Sequence, residues 1–232
     1  MTTAGHALVG NRWVLAGGLL YLLEFVAIIG AGMDEILVAG ASPDAVVAGY
    51  AAGSVDAAAF LGGWMSLVLL GRVLVFVGLR SALAASGRSH PLMDFAVVAA
   101  AVSVTLEVVA HCLGIAAADL ADAEQNAAAV LLDQGGAWTG SLVTGGLSLA
   151  LLASVWCMWG SRLFSRPLVI IGLVAGIGGV LSQLTISPAT SEISEQLTLS
   201  VLLFWVWMLW AGVVLWRRTP ARSRESHQVV AG

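Results

Sequence analysis

Residues 92–116 read LMDFAVVAAAVSVTLEVVAHCLGIA, an apolar run interrupted by Asp94 near its start and by Glu107 and His111 within it. A run of about 20 apolar residues matches the ~30 Å hydrocarbon core of a bilayer. Five further stretches share this character, so the expected spans are 13–32, 57–79, 92–116, 138–159, 168–184 and 197–216. The expectation is an all-α fold, a polytopic membrane bundle of six transmembrane helices. Residues 1–218 would form one domain, followed by a disordered cytoplasmic tail at 219–232.

Composition agrees. The chain is 59% hydrophobic and 10% charged, with a mean hydropathy of +0.94, whereas a soluble domain carries about 25% charged residues. Ten basic residues scattered through an apolar chain build no phosphate-tracking patch, which excludes a nucleic-acid partner and leaves the lipid bilayer. All ten are arginine. Without a lysine there is no retinal or pyridoxal Schiff base and no P-loop amine. The first stretch has features of a secretory signal, with Arg12 before it and Gly30-Ala31-Gly32 after it. Its length and its central Glu24 favour a retained helix.

The charges sort by side. Arg12, Arg80, Arg88, Arg162, Arg166, Arg217, Arg218, Arg222 and Arg224 flank alternate ends of the spans. The other connections carry Asp34, Glu35, Asp44, Asp56, Asp119, Asp122, Glu124, Asp133, Glu192 and Glu195. The positive-inside rule then places both termini in the cytoplasm of a multi-pass cell-membrane protein. The inner connections hold turn residues, Gly87, Pro91 and Pro167. Two outer connections read as short surface helices: Ser42-Pro43-Asp44 opens one over 45–52, and 122–133 is Ala-rich with acids in its first turn. Ser191, Glu192, Ser194 and Glu195 form the start signal of the last span. The sequence of span, acidic surface helix and span occurs at 13–79 and again at 92–159, with Glu24 and Glu107 in corresponding places. A division into two inverted three-helix halves fits the even count equally well.

Cys112 and Cys157 fall near opposite ends of neighbouring spans, roughly 20 Å apart in depth, too far for a disulfide. Trp13, Trp138, Trp159 and Trp216 mark span ends as interfacial anchors. Trp64, Trp205, Trp207 and Trp210 lie deeper, as lipid contacts, as core, or as an aromatic wall around an apolar or cationic ligand. Small residues form ridges at Gly172, Ala175, Gly176 and Gly179 and at Gly136, Gly140, Thr144 and Ser148, suited to close helix packing or to a homo-oligomer.

An ionisable group at mid-membrane costs at least ~2.5–3.5 kcal/mol and calls for a partner or a use. The candidates for binding or proton exchange are Glu24, Arg72, Glu107 and His111, with Gln183 a weaker fifth. Counted from the cytoplasmic ends, Glu24 lies about 16 Å deep, Arg72 about 12 Å, Glu107 about 21 Å and His111 about 27 Å. Glu24 can therefore pair with Arg72 and fix helix register. Glu107 and His111, at i and i+4, share a face and form a carboxylate–imidazole pair, or else Glu107 bridges to Arg72 and His111 faces the outer interface. No metal or other cofactor is expected, since His6, His90 and His227 are cytoplasmic and no paired-ligand spacing occurs. Hydrolase and water-channel signatures are absent as well.

Several local stretches resemble a family of actinobacterial-type six-helix membrane proteins catalogued as a domain of unknown function. They are Ala16-Gly17-Gly18-Leu19-Leu20-Tyr21-Leu22, Gly78-Leu79-Arg80, Ser165-Arg166-Pro167-Leu168 with Ile171-Gly172, and Leu215-Trp216-Arg217-Arg218. The resemblance implies a six-helix bundle in the inner membrane and carries over no site residues.

Three functional readings follow. One is a small-solute or proton-coupled carrier or channel subunit. A second is an intramembrane enzyme using a buried carboxylate on a lipid or isoprenoid. The third is a non-catalytic partner subunit whose Arg-rich tail, from Arg217 to Arg224, contacts anionic lipid.

Overall fold

The computed structural model describes residues 3–26, 39–187, 197 and 200–218, with side chains from Arg12 onward. Asp34, Glu35, residues 27–32, the 191–195 start signal and the tail at 219–232 lie outside the described residues. All regular structure within them is helical: α1 (Thr3–Leu22), α2 (Pro43–Ala52), α3 (Val55–Val68), α4 (Leu70–Ala85), α5 (Pro91–Asp122), α6 (Asn126–Ser141), α7 (Val143–Met158), α8 (Arg166–Leu184) and α9 (Ser200–Arg217).

Five helical segments among the described residues are long and apolar enough to cross a membrane. They are Val55–Ala85, Pro91–Asp122, Asn126–Met158, Arg166–Leu184 and Ser200–Arg217, and they give the chain the character of a multi-pass membrane protein. The first expected span is not among these five; its last residues, 27–32, are outside the described set, and α1 begins with a polar half that holds His6, Asn11 and Arg12.

The rods pack in chain order into a closed ring. α1 lies against α4, α4 against α5, α5 against α6 and α7, α7 against α8, α8 against α9, and α9 returns to α1. Phe76, Phe204 and Trp207 fill the interior with ring centroids 6.0–6.4 Å apart. The outer faces present Phe60, Leu67, Trp156 and Leu184, each more than 60% exposed. An outward-facing apolar surface of this extent marks a membrane or protein contact.

The first surface helix forms as expected. Ser42 caps α2 by accepting from the Ala45 amide at 3.2 Å, and Pro43 occupies its first turn. The second does not form. Residues 126–133 belong instead to a jointed rod, α6 and α7, that runs without a gap from Asn126 to Met158. Only Ala123, Glu124 and Gln125 separate it from α5, with Glu124 at φ 58°. Trp138 consequently sits within a rod rather than at its end. A matching joint occurs at Leu69 between α3 and α4, so the second rod of each proposed hairpin is divided near its middle.

Asp133 explains the misplaced helix. Its acidity suggested a solvent-facing outer turn, yet it is fully buried. The Tyr50 hydroxyl donates to its Oδ1 at 2.8 Å, Gln134 Nε2 donates to its Oδ2 at 3.3 Å, and the Gly40 amide donates to Gln134 Oε1 at 2.9 Å. Thus α2, which is joined in sequence to α3, docks on α5 and α6, with Val46 and Tyr50 against Ala117 and Ala118. Burial, and then the hydrogen bond to Asp133, push the Tyr50 hydroxyl above its ordinary pKa. Tyr50→Phe removes the donor and leaves a buried acceptor less satisfied, so thermal melting in detergent should show a loss of roughly 1–3 kcal/mol. An unchanged melting curve would mean that the clasp contributes nothing to holding α2.

The small-residue ridge of α8 is used inside the molecule. A Cβ on Gly172 would lie 2.6 Å from Trp207 Nε1, one on Gly176 would lie 2.6 Å from Leu152, and one on Gly179 would run into Ser148. Ser148, a member of the second ridge, thereby packs against the first. Cys112 is exposed and Cys157 is buried, both as free thiols.

Candidate functional site

The site is positioned by a contact between two glycines. Where α1 crosses α4, a Cβ on Gly17 would lie 2.6 Å from the Gly71 carbonyl oxygen, and one on Gly71 would lie 2.8 Å from the Tyr21 amide nitrogen. Only glycine permits this backbone-to-backbone approach, the usual device for close helix packing in lipid. It sets Arg72, the next residue, directly against α1.

The guanidinium of Arg72 meets three groups there. Its carbon is 4.3 Å from the centroid of the Tyr21 ring, a cation–π contact. It forks onto Glu107 of α5, Nη1 bonding Oε2 and Nη2 bonding Oε1 at 3.1 Å. Its Nη2 also lies 3.8 Å from Glu24 Oε2. Arg72 is 3% exposed and Glu24 is 8% exposed, so both charges are buried. Tyr21 is held in turn by Trp205, stacked at 3.9 Å and 10°, and Phe25 reaches the same indole at 4.7 Å.

Glu24 follows a break in the first rod. Leu23 is a turn, with 3₁₀-like bonds from its amide to the Leu20 carbonyl and from the Val26 amide to its own carbonyl, and residues 24–26 resume the helix. Trp64 Nε1 donates to the Leu23 carbonyl at 2.9 Å. That deep tryptophan therefore steadies the break, giving a partner to a carbonyl that the interrupted helix leaves free.

The expected depths of Arg72 and Glu107 differed by about 9 Å, yet the two side chains meet. The reason is the length of α4, which continues to Ala85 and not merely to Leu79. Counted from the true ends, Arg72 lies ~20 Å from the last residue of α4 and Glu107 ~24 Å from the first of α5.

The remaining candidates stand apart. Both oxygens of Glu107 are engaged by Arg72, while His111, one turn farther along α5, makes no hydrogen bond among the described residues and stands against α3 near Gly62. Gln183 accepts from the Gly145 amide at 3.0 Å, so it ties α8 to the first turn of α7. Trp207 is core, and its buried Nε1 has no partner among the described residues; Trp210 faces outward. No group of three or more metal-binding side chains occurs among the described residues. Tyr21 was missed in the sequence, although its i, i+3 spacing from Glu24 was a usable signal.

The charge balance of the cluster is uneven. Two carboxylates share one guanidinium, and Glu24 Oε2 and Arg72 Nε are both buried without a hydrogen-bond partner among the described residues. No family model, no curated protein and no solved structure matches the chain.

Proposed function

We propose that the protein is a proton-coupled carrier of a small solute, a six-span protein of the cell membrane with both termini in the cytoplasm, in which Glu24 is the carboxylate that takes up and releases the proton. The observation that carries this reading is the surplus carboxylate. A single Arg72–Glu107 pair would neutralise itself and fix the register of α4 and α5. Glu24 adds nothing to that pair except a net negative charge, which a low-dielectric interior does not tolerate bare. A proton on Glu24 restores neutrality. An intramembrane acid that binds one proton reversibly is the element that proton-driven transport requires.

Among the described residues the groups facing Glu24 are Tyr21 on its own rod, Arg72 from α4 and Glu107 from α5, whereas α9 contributes uncharged aromatic side chains here. The enzyme reading is the weaker one, because both carboxylates lie within ion-pairing distance of Arg72 and Glu107 has no free oxygen to present to a substrate.

Infrared difference spectroscopy on the protein in lipid tests the proposal. The wild type should show a protonated-carboxyl band that is titrated by pH and lost in Glu24→Gln. The same substitution should abolish solute-induced collapse of an imposed pH gradient in membrane vesicles. A band that persists in Glu24→Gln, or its absence from the folded wild type at every pH, overturns the assignment.

A further inference from the structure

Among the described residues, several arginines at one end of the bundle lack an acidic partner. Arg80 bonds Asp94, but among the described residues Arg12, Arg162 and Arg218 have no acidic partner within 4.0 Å. Two contacts link the segments that carry these three. The guanidinium of Arg12 lies 5.7 Å from the Trp216 ring centroid, which joins the start of the first rod to the end of the last. Arg218, two residues beyond that indole, donates from Nη1 to the Arg162 carbonyl at 2.9 Å, which fixes it to the loop between α7 and α8. All three side chains are exposed.

From this we infer that the junction of α1, α9 and the α7–α8 loop is a binding site for the phosphodiester headgroup of an anionic phospholipid. Trp13, Trp159 and Trp216 are each more than 40% exposed at this same end. Exposed indoles settle at the headgroup level of a bilayer, so the phosphate meeting these arginines is one attached to lipid. Guanidinium groups bond phosphate oxygens in pairs, and the stacking of Arg12 and the carbonyl anchor of Arg218 hold two of them ready at little further cost in side-chain entropy. The inference rests on the bilayer-spanning reading and is independent of the proton site, since no residue is shared with it.

The test uses the full chain in a neutral detergent, with phosphatidylglycerol, phosphatidylcholine or inorganic phosphate added. Native mass spectrometry counts retained lipid, and thermal melting reads the stabilisation that binding confers. Phosphatidylglycerol should be retained and should raise the melting temperature, with phosphatidylcholine and phosphate doing neither. Arg12→Gln with Arg218→Gln should weaken that binding by roughly 30-fold, the loss expected for two juxtamembrane arginines. Arg80→Gln, whose side chain is already paired, should leave it within about 5-fold. Equal stabilisation by phosphatidylcholine or by free phosphate, or full phosphatidylglycerol binding in the double variant, would overturn the proposal. All of these substitutions are at exposed positions, and the melting curve of each variant without lipid checks that it is folded.

Discussion

Arg72→Met should be the most damaging single side-chain substitution in the protein, lowering stability by ~3–5 kcal/mol and cutting the amount of folded protein recovered from membranes. The magnitude is that of breaking a buried ion pair by removing one partner. In the wild type the guanidinium satisfies Glu107 through a forked pair of bonds, lies 3.8 Å from Glu24 and covers the Tyr21 ring. Methionine fills much of the same volume but leaves Glu107, and Glu24 whenever it is ionised, with no positive charge beside it. The loss should therefore come from stranded charge rather than from a cavity, and that distinction can be tested. Adding Glu24→Gln and Glu107→Gln to Arg72→Met should restore most of the stability, because a wholly uncharged cluster is often as stable as the ion pair it replaces. Melting of the single, double and triple variants in detergent gives the coupling energies directly. A triple variant no better than Arg72→Met would show that the arginine acts through packing alone.

What could be read from the sequence divides along the range of the forces involved. Hydropathy and arginine placement depend on local composition, and they located α8 and α9 to within a few residues and the start of α5 to within one, its end falling six residues short. They fail at 126–133, because acidity by itself points to solvent, and the partner that buries Asp133 is Tyr50, 83 positions away. Such pairing across the fold leaves no periodic trace in the chain. The site behaved in the same way. Glu24, Arg72 and Glu107 stood out one by one as charges in apolar runs, and the alternatives offered were that Arg72 serves Glu24 or that it serves Glu107. Both carboxylates face it, and only the crossing of α1 over α4 makes that geometry available. The aromatic residues were harder still. Trp64, Trp205, Trp207 and Trp210 look alike by hydropathy, yet one steadies a helix break, one stacks on Tyr21, one is core and one faces outward.

The crossing itself gives the second large expectation. Gly71→Val should disrupt both stability and the proton site, and the milder Gly71→Ala should separate the two effects. A Cβ at position 71 would meet the Tyr21 amide nitrogen at 2.8 Å and would come closer still to the Gly17 carbonyl. These are backbone atoms of a helix, so no side-chain rotation relieves the overlap, and α4 must move away from α1. Overpacking of a core position costs ~1–3 kcal/mol, and a β-branched side chain at a backbone contact should lie at or above the top of that range. The displacement has a defined chemical consequence. Arg72 and Glu107 sit on α4 and α5 and can move together, whereas Glu24 and Tyr21 sit on the first rod and are left behind. Gly71→Ala should therefore keep the Arg72–Glu107 fork while widening the gap to Glu24, which leaves that carboxylate in apolar surroundings with less positive charge beside it. With Arg72 farther off, the charge that faces Glu24 changes, so its infrared band should respond to pH differently from that of the wild type. A Gly71→Ala protein that melts lower but titrates like the wild type would show that the crossing supports the fold without setting the proton site.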